Sequence, residues 1–441
     1  MSTPPIGNAT QPLLKRELGV TGAVMMGMGS IVGTGVFVSI GIAAGIAGPA
    51  VILAIAIAAC VATLNGLSSA QLAASHPVSG GTYEYAYKYA SPMLGFVAGW
   101  MFLCAKSASA ATAALGLTGY LLHALGQNAS AFHVPIALVV VVLLTLVILT
   151  GMRQTNRVNI AIVSVTLFSL ASFVLLGLPT AFEMGKTNLL PFFGFDATNG
   201  SGTIMAILHA SALMFVAYTG YGRIATLGEE VKNPRKTIPR AIITTLFISM
   251  VLYISVGTVG IASVGSDVFY AATIENAATL EIVAHNFGIS GLPYVLAVGA
   301  LTAMTGVLLN LILGLSRVLL AMGRRLDMPA TLSRLDQSQT TPYMAVITVG
   351  VIIAGLVLLG DVKTTWSFSA FTVLIYYAIT NFCALQIPKP ERLYPRWMAW
   401  MGLIACLSLA FFVETSIWLV GLGLVLLGVI WHLVAQHLAK R

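Results

Sequence analysis

The sequence predicts an all-α integral membrane protein with twelve transmembrane helices. Hydrophobic residues make up 58% of the 441-residue chain and charged residues only 8%, whereas soluble domains carry about 25% charged residues. The apolar residues fall into twelve runs of roughly the twenty residues that a bilayer-spanning helix needs. The predicted spans are 20–45, 48–73, 92–122, 133–151, 158–181, 203–226, 240–263, 289–318, 341–360, 364–387, 397–412 and 415–437.

The distribution of Lys and Arg predicts the orientation of these spans. With the N-terminus inside, nineteen of the 22 basic residues fall in cytoplasmic segments, and the outer loops hold only Lys186 and Lys363. Basic residues concentrate in cytoplasmic loops, so we expect a multi-pass protein of the plasma membrane with both termini cytoplasmic. Residues 1–17 are expected to form a polar cytoplasmic tail without signal-peptide features. Because membrane topology explains the net charge of +8, no nucleic-acid partner is expected.

Two predicted spans are interrupted by glycine-rich stretches. Span 1 contains four glycines between Gly27 and Gly35, and span 6 contains the sequence AYTGYG at 217–222. Non-helical backbone at membrane depth is tolerated only where it is buried in protein or lines a water-filled cavity. Close helix packing is an alternative for the first stretch, because Gly29 and Gly33 have small-xxx-small spacing.

The interruptions fall at matching places when the first ten spans are divided into five and five. An odd number of spans per half inverts the second half, so the two interruptions are expected to meet near the midplane. Interrupted spans at corresponding positions are typical of inverted-repeat transporters. We therefore expect one repeat at 18–181, a second at 203–387, and two further helices at 397–437.

Several motifs resemble those of the amino acid–polyamine–organocation (APC) permeases. GSIVGTGVF at 29–37 is similar to the helix 1 signature of that superfamily. FVAYTGY at 215–221, followed by EEVKNP at 229–234, is similar to helix 6 and the loop after it. Residues 77–83 resemble the segment after helix 2, and 316–324 resemble the end of helix 8. The resemblance implies a secondary active transporter, symporter or exchanger, that moves amino acids or related amines by alternating access.

The resemblance also implies how an amino acid would be held. Its α-carboxylate would lie on backbone N–H groups around Thr34 and Gly35, in agreement with the anion affinity of helix N-termini. Its α-amino group would lie against carbonyl oxygens of both interruptions, with Tyr218 and Thr219 shaping the side-chain pocket. The expected substrate-binding residues are Ser30, Ile31, Gly33, Thr34, Gly35, Lys106, Ala217, Tyr218, Thr219 and Gly220.

Lys106 is the one basic residue of the 22 that is assigned neither to a cytoplasmic segment nor to an outer loop, so it is expected inside the membrane. It lies fourteen positions after Pro92, about 21 Å along a helix axis, and no acidic residue lies at comparable depth. Ionisable residues inside membranes usually face the bundle interior and are functional. Lys106 either stays neutral, bonds to carbonyl oxygens freed by the interruptions, or meets an anionic substrate group. We expect it to titrate during transport or to contact substrate; a purely structural cation is the alternative.

No cofactor or metal site is expected. We do expect transport to be coupled to an ion, either H⁺ or Na⁺. Some proton-coupled relatives carry a lysine in helix 5, whereas span 5 here has Ser164 and Val165 in that region. The hydroxyl groups of Thr302 and Thr305 are candidates for a sodium site. Alternatively, Lys106 is a candidate to take the place of such a site. The resemblance assigns inner-gate roles to Glu230 and Arg240.

Other functional classes are less consistent with the sequence. An enzyme would need a nucleophile, paired carboxylates or a metal cluster at membrane depth, and the fourteen acidic residues all fall in loops or at span ends. A polyamine or organic-cation transporter is the principal alternative, and a channel is a weaker one. The expected partners are a small amino acid or amine and the lipid bilayer, with the protein acting as a monomer or homodimer. Short helices are expected at 82–90 and within 269–287.

Overall fold

A computed structural model describes residues 18–78, 80–127, 130–151, 156–193, 200–225, 231–336 and 341–439. Regular structure in these ranges is helical, as predicted, apart from one isolated bridge between Leu18 and Val231. The α-helices are α1 (Val20–Ile31), α2 (Ile40–Ala47), α3 (Val51–Ser75), α4 (Thr82–Tyr89), α5 (Pro92–Ala124), α6 (Ser130–Leu149), α7 (Asn156–Asn188), α8 (Gly200–Tyr218), α9 (Gly222–Ala225), α10 (Pro234–Val264), α11 (Ser266–Asn276), α12 (Thr279–His285), α13 (Leu292–Arg324), α14 (Tyr343–Val357), α15 (Val362–Leu385), α16 (Arg396–Ala410) and α17 (Thr415–Ala439).

Local sequence signals set the limits of the two central helices. Helix α5 begins with Pro92 in its first turn, and Ser91 Oγ accepts a hydrogen bond from the Leu94 amide at 3.2 Å. Helix α15 is capped by the Asp361 carboxylate, which accepts from the Lys363 and Thr364 amides at 3.0 and 2.9 Å. These side chains satisfy N–H groups that have no partner within the helix.

Nine helical stretches of the described chain are long and apolar enough to cross a membrane, and three shorter apolar helices accompany them. The first stretch, Gly35–Ser75, has 41 residues, about 60 Å of helix, and turns at Gly48, whose φ is 56°. The short helices are α1, α14 and α16. Helices thus lie at all twelve predicted ranges, while the number of crossings remains a prediction.

Helices α5 and α15 pack against each other in the interior. By contrast, α6 and α17 expose most of their apolar side chains, as expected of helices that face lipid. Helix α5 also packs against α13, and α8 packs against α3 and α15. The inner faces of α5, α8, α13 and α15 consequently surround the middle of the bundle.

The first interruption involves fewer residues than the glycine-rich stretch 27–35 suggests. Gly27 and Gly29 lie in regular helix, and a Cβ atom at either position would collide with Ile224 or Asn159, respectively. For these two glycines the close-packing interpretation is correct. The chain leaves helical geometry only at 32–33, where Val32 has ψ 97°, and continues as a π-helix at Gly35–Ser39.

The second interruption follows Tyr218 at the end of α8. A 3₁₀ turn at Thr219–Tyr221 connects α8 to the single-turn helix α9. Both predicted interruptions are therefore present in the backbone.

Two connecting segments differ in how well the sequence predicts them. Helix α4 forms at Thr82–Tyr89 as expected, but the segment within 269–287 contains two helices, α11 and α12, instead of one. The chain turns between them at Ala277, which has a left-handed φ of 52°. The cause of the extra turn is this backbone conformation, which the sequence pattern does not mark.

A buried carboxylate, Asp327, joins α4 and α17 to the chain that follows α13. Asp327 Oδ2 accepts hydrogen bonds from Tyr83 Oη at 2.7 Å and Tyr87 Oη at 2.5 Å. Asp327 Oδ1 lies 3.3 Å from Nδ1 of His432, and the Asp327 carbonyl accepts from Trp431 Nε1 at 3.0 Å. We call these five residues the Asp327 cluster.

The tyrosines of the Asp327 cluster remain protonated donors. Burial, and then the hydrogen bond to Asp327, raises the pKa of Tyr83 and of Tyr87 above the ordinary value. Arg325 lies over the Tyr87 ring at 4.3 Å and forms an ion pair with Glu84 of α4. Tyr83, Glu84 and Tyr87 of α4 are thus all engaged with the segment after α13.

Candidate substrate site

The two interruptions lie in direct contact. A Cβ atom at Gly220 would meet the backbone of Ser30 and would lie 2.6 Å from the Ile31 nitrogen. On the other side of the contact, a Cβ atom at Gly35 would lie 2.7 Å from the Cβ of Ala217. Glycine at 35 and 220 therefore permits an approach of the two backbones that any side chain would prevent.

Tyrosine hydroxyls lie within hydrogen-bond distance of carbonyl oxygens of the two interruptions. The Tyr253 hydroxyl oxygen, from α10, lies 2.8 Å from the Ile31 carbonyl oxygen and 3.3 Å from the Ala217 carbonyl oxygen. Tyr377 of α15 donates to the Thr219 carbonyl at 3.2 Å. Buried carbonyl groups need such partners, and these hydroxyls fix the two interruptions relative to α10 and α15.

A cavity of about 40 Å³ lies beside the contact. This volume admits about three water molecules at roughly 10–15 Å³ each, so the cavity is small. It is lined by Ser30, Ile31, Thr34, Gly35, Lys106, Ser109, Val216, Ala217, Thr219, Gly220, Val307, Leu311 and Trp366.

Lys106 is buried at the edge of the cavity, with 8% of its surface exposed. Its ammonium group donates to Thr219 Oγ1 at 2.7 Å, and that hydroxyl in turn donates to the Val216 carbonyl at 2.7 Å. The side chain from α5 is thereby attached directly to the second interruption. No acidic side chain is among the described residues that line the cavity.

Other hydroxyl groups complete the polar side of the cavity. Ser109, one turn after Lys106, shares a 2.7 Å hydrogen bond with Ser369 of α15. The Thr34 hydroxyl is buried and has no hydrogen-bond partner among the described residues, so it is available to a ligand. On the apolar side, Val307 and Leu311 of α13 and the Trp366 ring form the wall.

Eight of the ten expected substrate-binding residues line the cavity, and two do not. Gly33 packs beneath it, where an added Cβ would lie 2.6 Å from Val307. Tyr218 is fully buried; its hydroxyl lies 3.5 Å from the Ile55 carbonyl and its ring lies against Tyr253. The Tyr218 side chain therefore contacts α3 and α10 and does not reach the cavity.

Three of the expected coupling and gating residues, Thr302, Thr305 and Arg240, do not line the cavity. Thr302 and Thr305 donate to carbonyl groups of their own helix, those of Val298 and Leu301, at 2.8 and 2.7 Å. Arg240 is exposed in the second turn of α10. Glu230 lies outside the described residues.

Five lining residues were not among those expected from the sequence. Ser109 follows Lys106 by three positions, which puts both on one helical face, so this residue was predictable once Lys106 was singled out. Val307 and Leu311 share a face of α13 in the same way, but apolar residues line cavities and cores alike. Val216 and Trp366 had no distinguishing signal.

The site combines groups suited to a zwitterion. Backbone N–H groups at the start of a helix attract anions, and the chain resumes helical geometry at Thr34 and Gly35. Carbonyl oxygens of Ile31 and Ala217 offer acceptors to an ammonium group. Within the described ranges, no group of three or more His, Cys, Asp or Glu residues is arranged to hold a metal ion.

Known proteins that resemble this chain are transporters. An uncharacterised transporter of Mycobacterium tuberculosis is 37% identical over 97% of this chain and 93% of its own length. A branched-chain amino acid permease of Bacillus subtilis is 28% identical over 75% of this chain and 72% of its own. A vacuolar cationic amino acid transporter of Arabidopsis thaliana is 26% identical over 85% of this chain and 63% of its own.

The family model for amino acid permeases matches residues 22–437, nearly the whole chain. This match includes both interruptions and all thirteen cavity-lining residues. The chain is a multi-pass membrane protein that belongs to the amino acid permease family of the APC superfamily.

Proposed function

We propose that this protein is a secondary active transporter, a symporter or an exchanger, that moves amino acids across the plasma membrane by alternating access. The observation that carries the proposal is the contact between the two interruptions, beside a cavity lined by Ser30, Thr34 and Lys106. The family match and the amino acid permeases among the relatives support an amino acid as substrate.

The proposed architecture has twelve spans with both termini in the cytoplasm. Two inverted repeats, 18–181 and 203–387, each begin with an interrupted helix, and 397–437 adds two helices. In this arrangement the interruptions face each other near the midplane, where transporters of this type bind substrate. The asymmetric distribution of Lys and Arg supports the orientation.

In the proposed binding mode, the α-carboxylate of the substrate accepts hydrogen bonds from the backbone around Thr34 and Gly35. The α-ammonium donates to the Ile31 and Ala217 carbonyls, whose present partner is the Tyr253 hydroxyl. The small cavity corresponds to a contracted site that widens when substrate enters from one side. A proton or sodium gradient is the proposed energy source, and Lys106 is the proposed coupling group if the ion is a proton.

Reconstitution into liposomes tests the function. We expect uptake or exchange of at least one labelled amino acid from a panel of acidic, neutral and basic members, with sodium and proton gradients imposed separately. Absence of amino acid transport under every gradient would count against the proposal.

The variant Gly220→Ala tests the site. Its Cβ would meet the backbone of Ser30 and Ile31, so we expect uptake to fall at least tenfold. Gly202→Ala, in the preceding helix α8, is the control, because no atom lies within 4 Å of an added Cβ there. Equal uptake by both variants would contradict the proposed site.

A further inference from the structure

Among the described residues that line the cavity, Lys106 alone carries a charge. In the proposed binding mode, both charges of an amino acid backbone already have partners in the main chain at the two interruptions. The Lys106 ammonium is therefore additional to the groups that a zwitterion needs. A neutral amino acid would leave this positive charge buried without a counter-ion, which is costly in a low-dielectric interior.

The geometry around Lys106 leaves capacity for a ligand. An ammonium group has three N–H donors, and Thr219 Oγ1 is the one acceptor recorded for it within the described part of the chain. Because the Thr219 hydroxyl donates its own proton to Val216, its lone pairs face Lys106 and hold the ammonium in position. The remaining N–H donors are available to a second acceptor.

The hydroxyl groups near Lys106 reinforce this anion-binding character. The Thr34 hydroxyl is buried without a protein partner, and its residue lines the same cavity as Lys106 and Ser109. A hydroxyl donor and an ammonium donor in one cavity match the oxygens of a carboxylate. The described cavity lining offers no carboxylate of its own to compete for them.

We propose that Lys106 selects substrates by side-chain charge, so that the site takes amino acids with an acidic side chain and rejects those with a basic one. This inference rests on the proposed function and narrows its substrate class. A substrate with a second carboxylate neutralises the cavity, because its net charge of −1 balances Lys106. A basic amino acid would bring a second cation into the same small space.

The size of the effect follows from simple electrostatics. Two like charges about 5 Å apart at an effective dielectric constant of about 20 repel strongly enough to change binding on the order of a hundred-fold. The Arabidopsis relative is named for cationic amino acids. Lys106 indicates that this preference does not extend to the present chain.

Competition in proteoliposomes tests the inference with pairs of amino acids that match in size. Aspartate is compared with asparagine, and glutamate with glutamine, as inhibitors of labelled-substrate uptake, with lysine and arginine as the cationic members. We expect each acidic member to compete at least tenfold better than its amide, and the basic members to compete on the order of a hundred-fold less well than the amides.

The variant Lys106→Met removes the charge and keeps much of the volume. We expect the acidic amino acids to lose their advantage over the amides, while Lys232→Met, a change at an exposed lysine, preserves it. Unchanged selectivity in Lys106→Met would overturn the inference.

The wild-type protein provides a test that does not depend on the variant folding. Uptake of neutral or basic amino acids with no preference for acidic ones would refute charge selection by Lys106 and leave the proposed transport function intact. No uptake of any amino acid would refute both.

Discussion

Lys106 and Asp327 are both buried ionisable residues, but their surroundings differ. Asp327 accepts hydrogen bonds from two tyrosine hydroxyls and lies beside His432. Among the described residues, Lys106 has one hydrogen-bond partner, the Thr219 hydroxyl, and it lines a cavity. The protein thus supplies several partners for one buried charge and a single neutral partner for the other.

This difference separates a structural charge from a functional one. A buried ion is tolerated more readily when several hydrogen bonds compensate for its lost hydration. The Asp327 cluster meets that condition within the protein and connects α4, α17 and the chain after α13. Lys106 does not meet it within the described residues, so its compensation is expected from a substrate.

The largest expected effect is on stability, from Asp327→Ala. The change leaves the Tyr83 and Tyr87 hydroxyls and His432 without their shared acceptor, so the free energy of unfolding should fall by about 3–5 kcal/mol. Denaturant unfolding of the purified protein in detergent measures this. Glu275→Ala, at an exposed carboxylate, is the control and should change stability by less than about 0.5 kcal/mol. Equal stability of the two variants would remove the contrast with Lys106.

A smaller loss is expected for Tyr87→Phe. The variant keeps the ring under Arg325 but removes one hydrogen bond to a carboxylate, which should lower the free energy of unfolding by about 1.5–3 kcal/mol. The control is Tyr294→Phe, because the Tyr294 side chain is 66% exposed. A loss of unfolding free energy no greater than that of the control would show that the Tyr87 hydroxyl does not stabilise the buried Asp327 carboxylate.

The smallest effect on stability is expected for Lys106→Met. Replacing an unpaired buried charge by an apolar side chain should leave the free energy of unfolding unchanged or raise it by about 1 kcal/mol. Thr219 retains its bond to the Val216 carbonyl. The same unfolding experiment measures the change, and a loss as large as that of Asp327→Ala would identify Lys106 as a structural cation.

The sequence predicted the interruptions because both appear as glycine-containing stretches inside otherwise apolar spans. It did not distinguish the packing glycines, Gly27 and Gly29, from the glycines at the interruption, Gly33 and Gly35. That distinction depends on Ile224 and Asn159, which approach α1 from other helices. Glycine spacing along one helix contains no information about these neighbours.

Long-range pairing limited what the sequence indicated about the charged residues. Lys106 was conspicuous by its depth, but its bond to Thr219 joins residues 113 positions apart. The sequence did not indicate that Asp327 is buried, because acidic residues are common in loops. Its burial results from the packing of α4 and α17 around the end of α13, which no local pattern predicts.

The Tyr253 hydroxyl has one further chemical consequence for the site. It carries a single proton but lies within hydrogen-bond distance of two carbonyl oxygens, those of Ile31 and Ala217. One of these oxygens therefore always has a lone pair that Tyr253 does not occupy. An arriving ammonium group can bond to that oxygen while the phenol rotates its proton to the other. Rotation of one hydroxyl thus gives both carbonyls a donor while the ligand is bound, and returns the proton to the vacated oxygen when the ligand leaves.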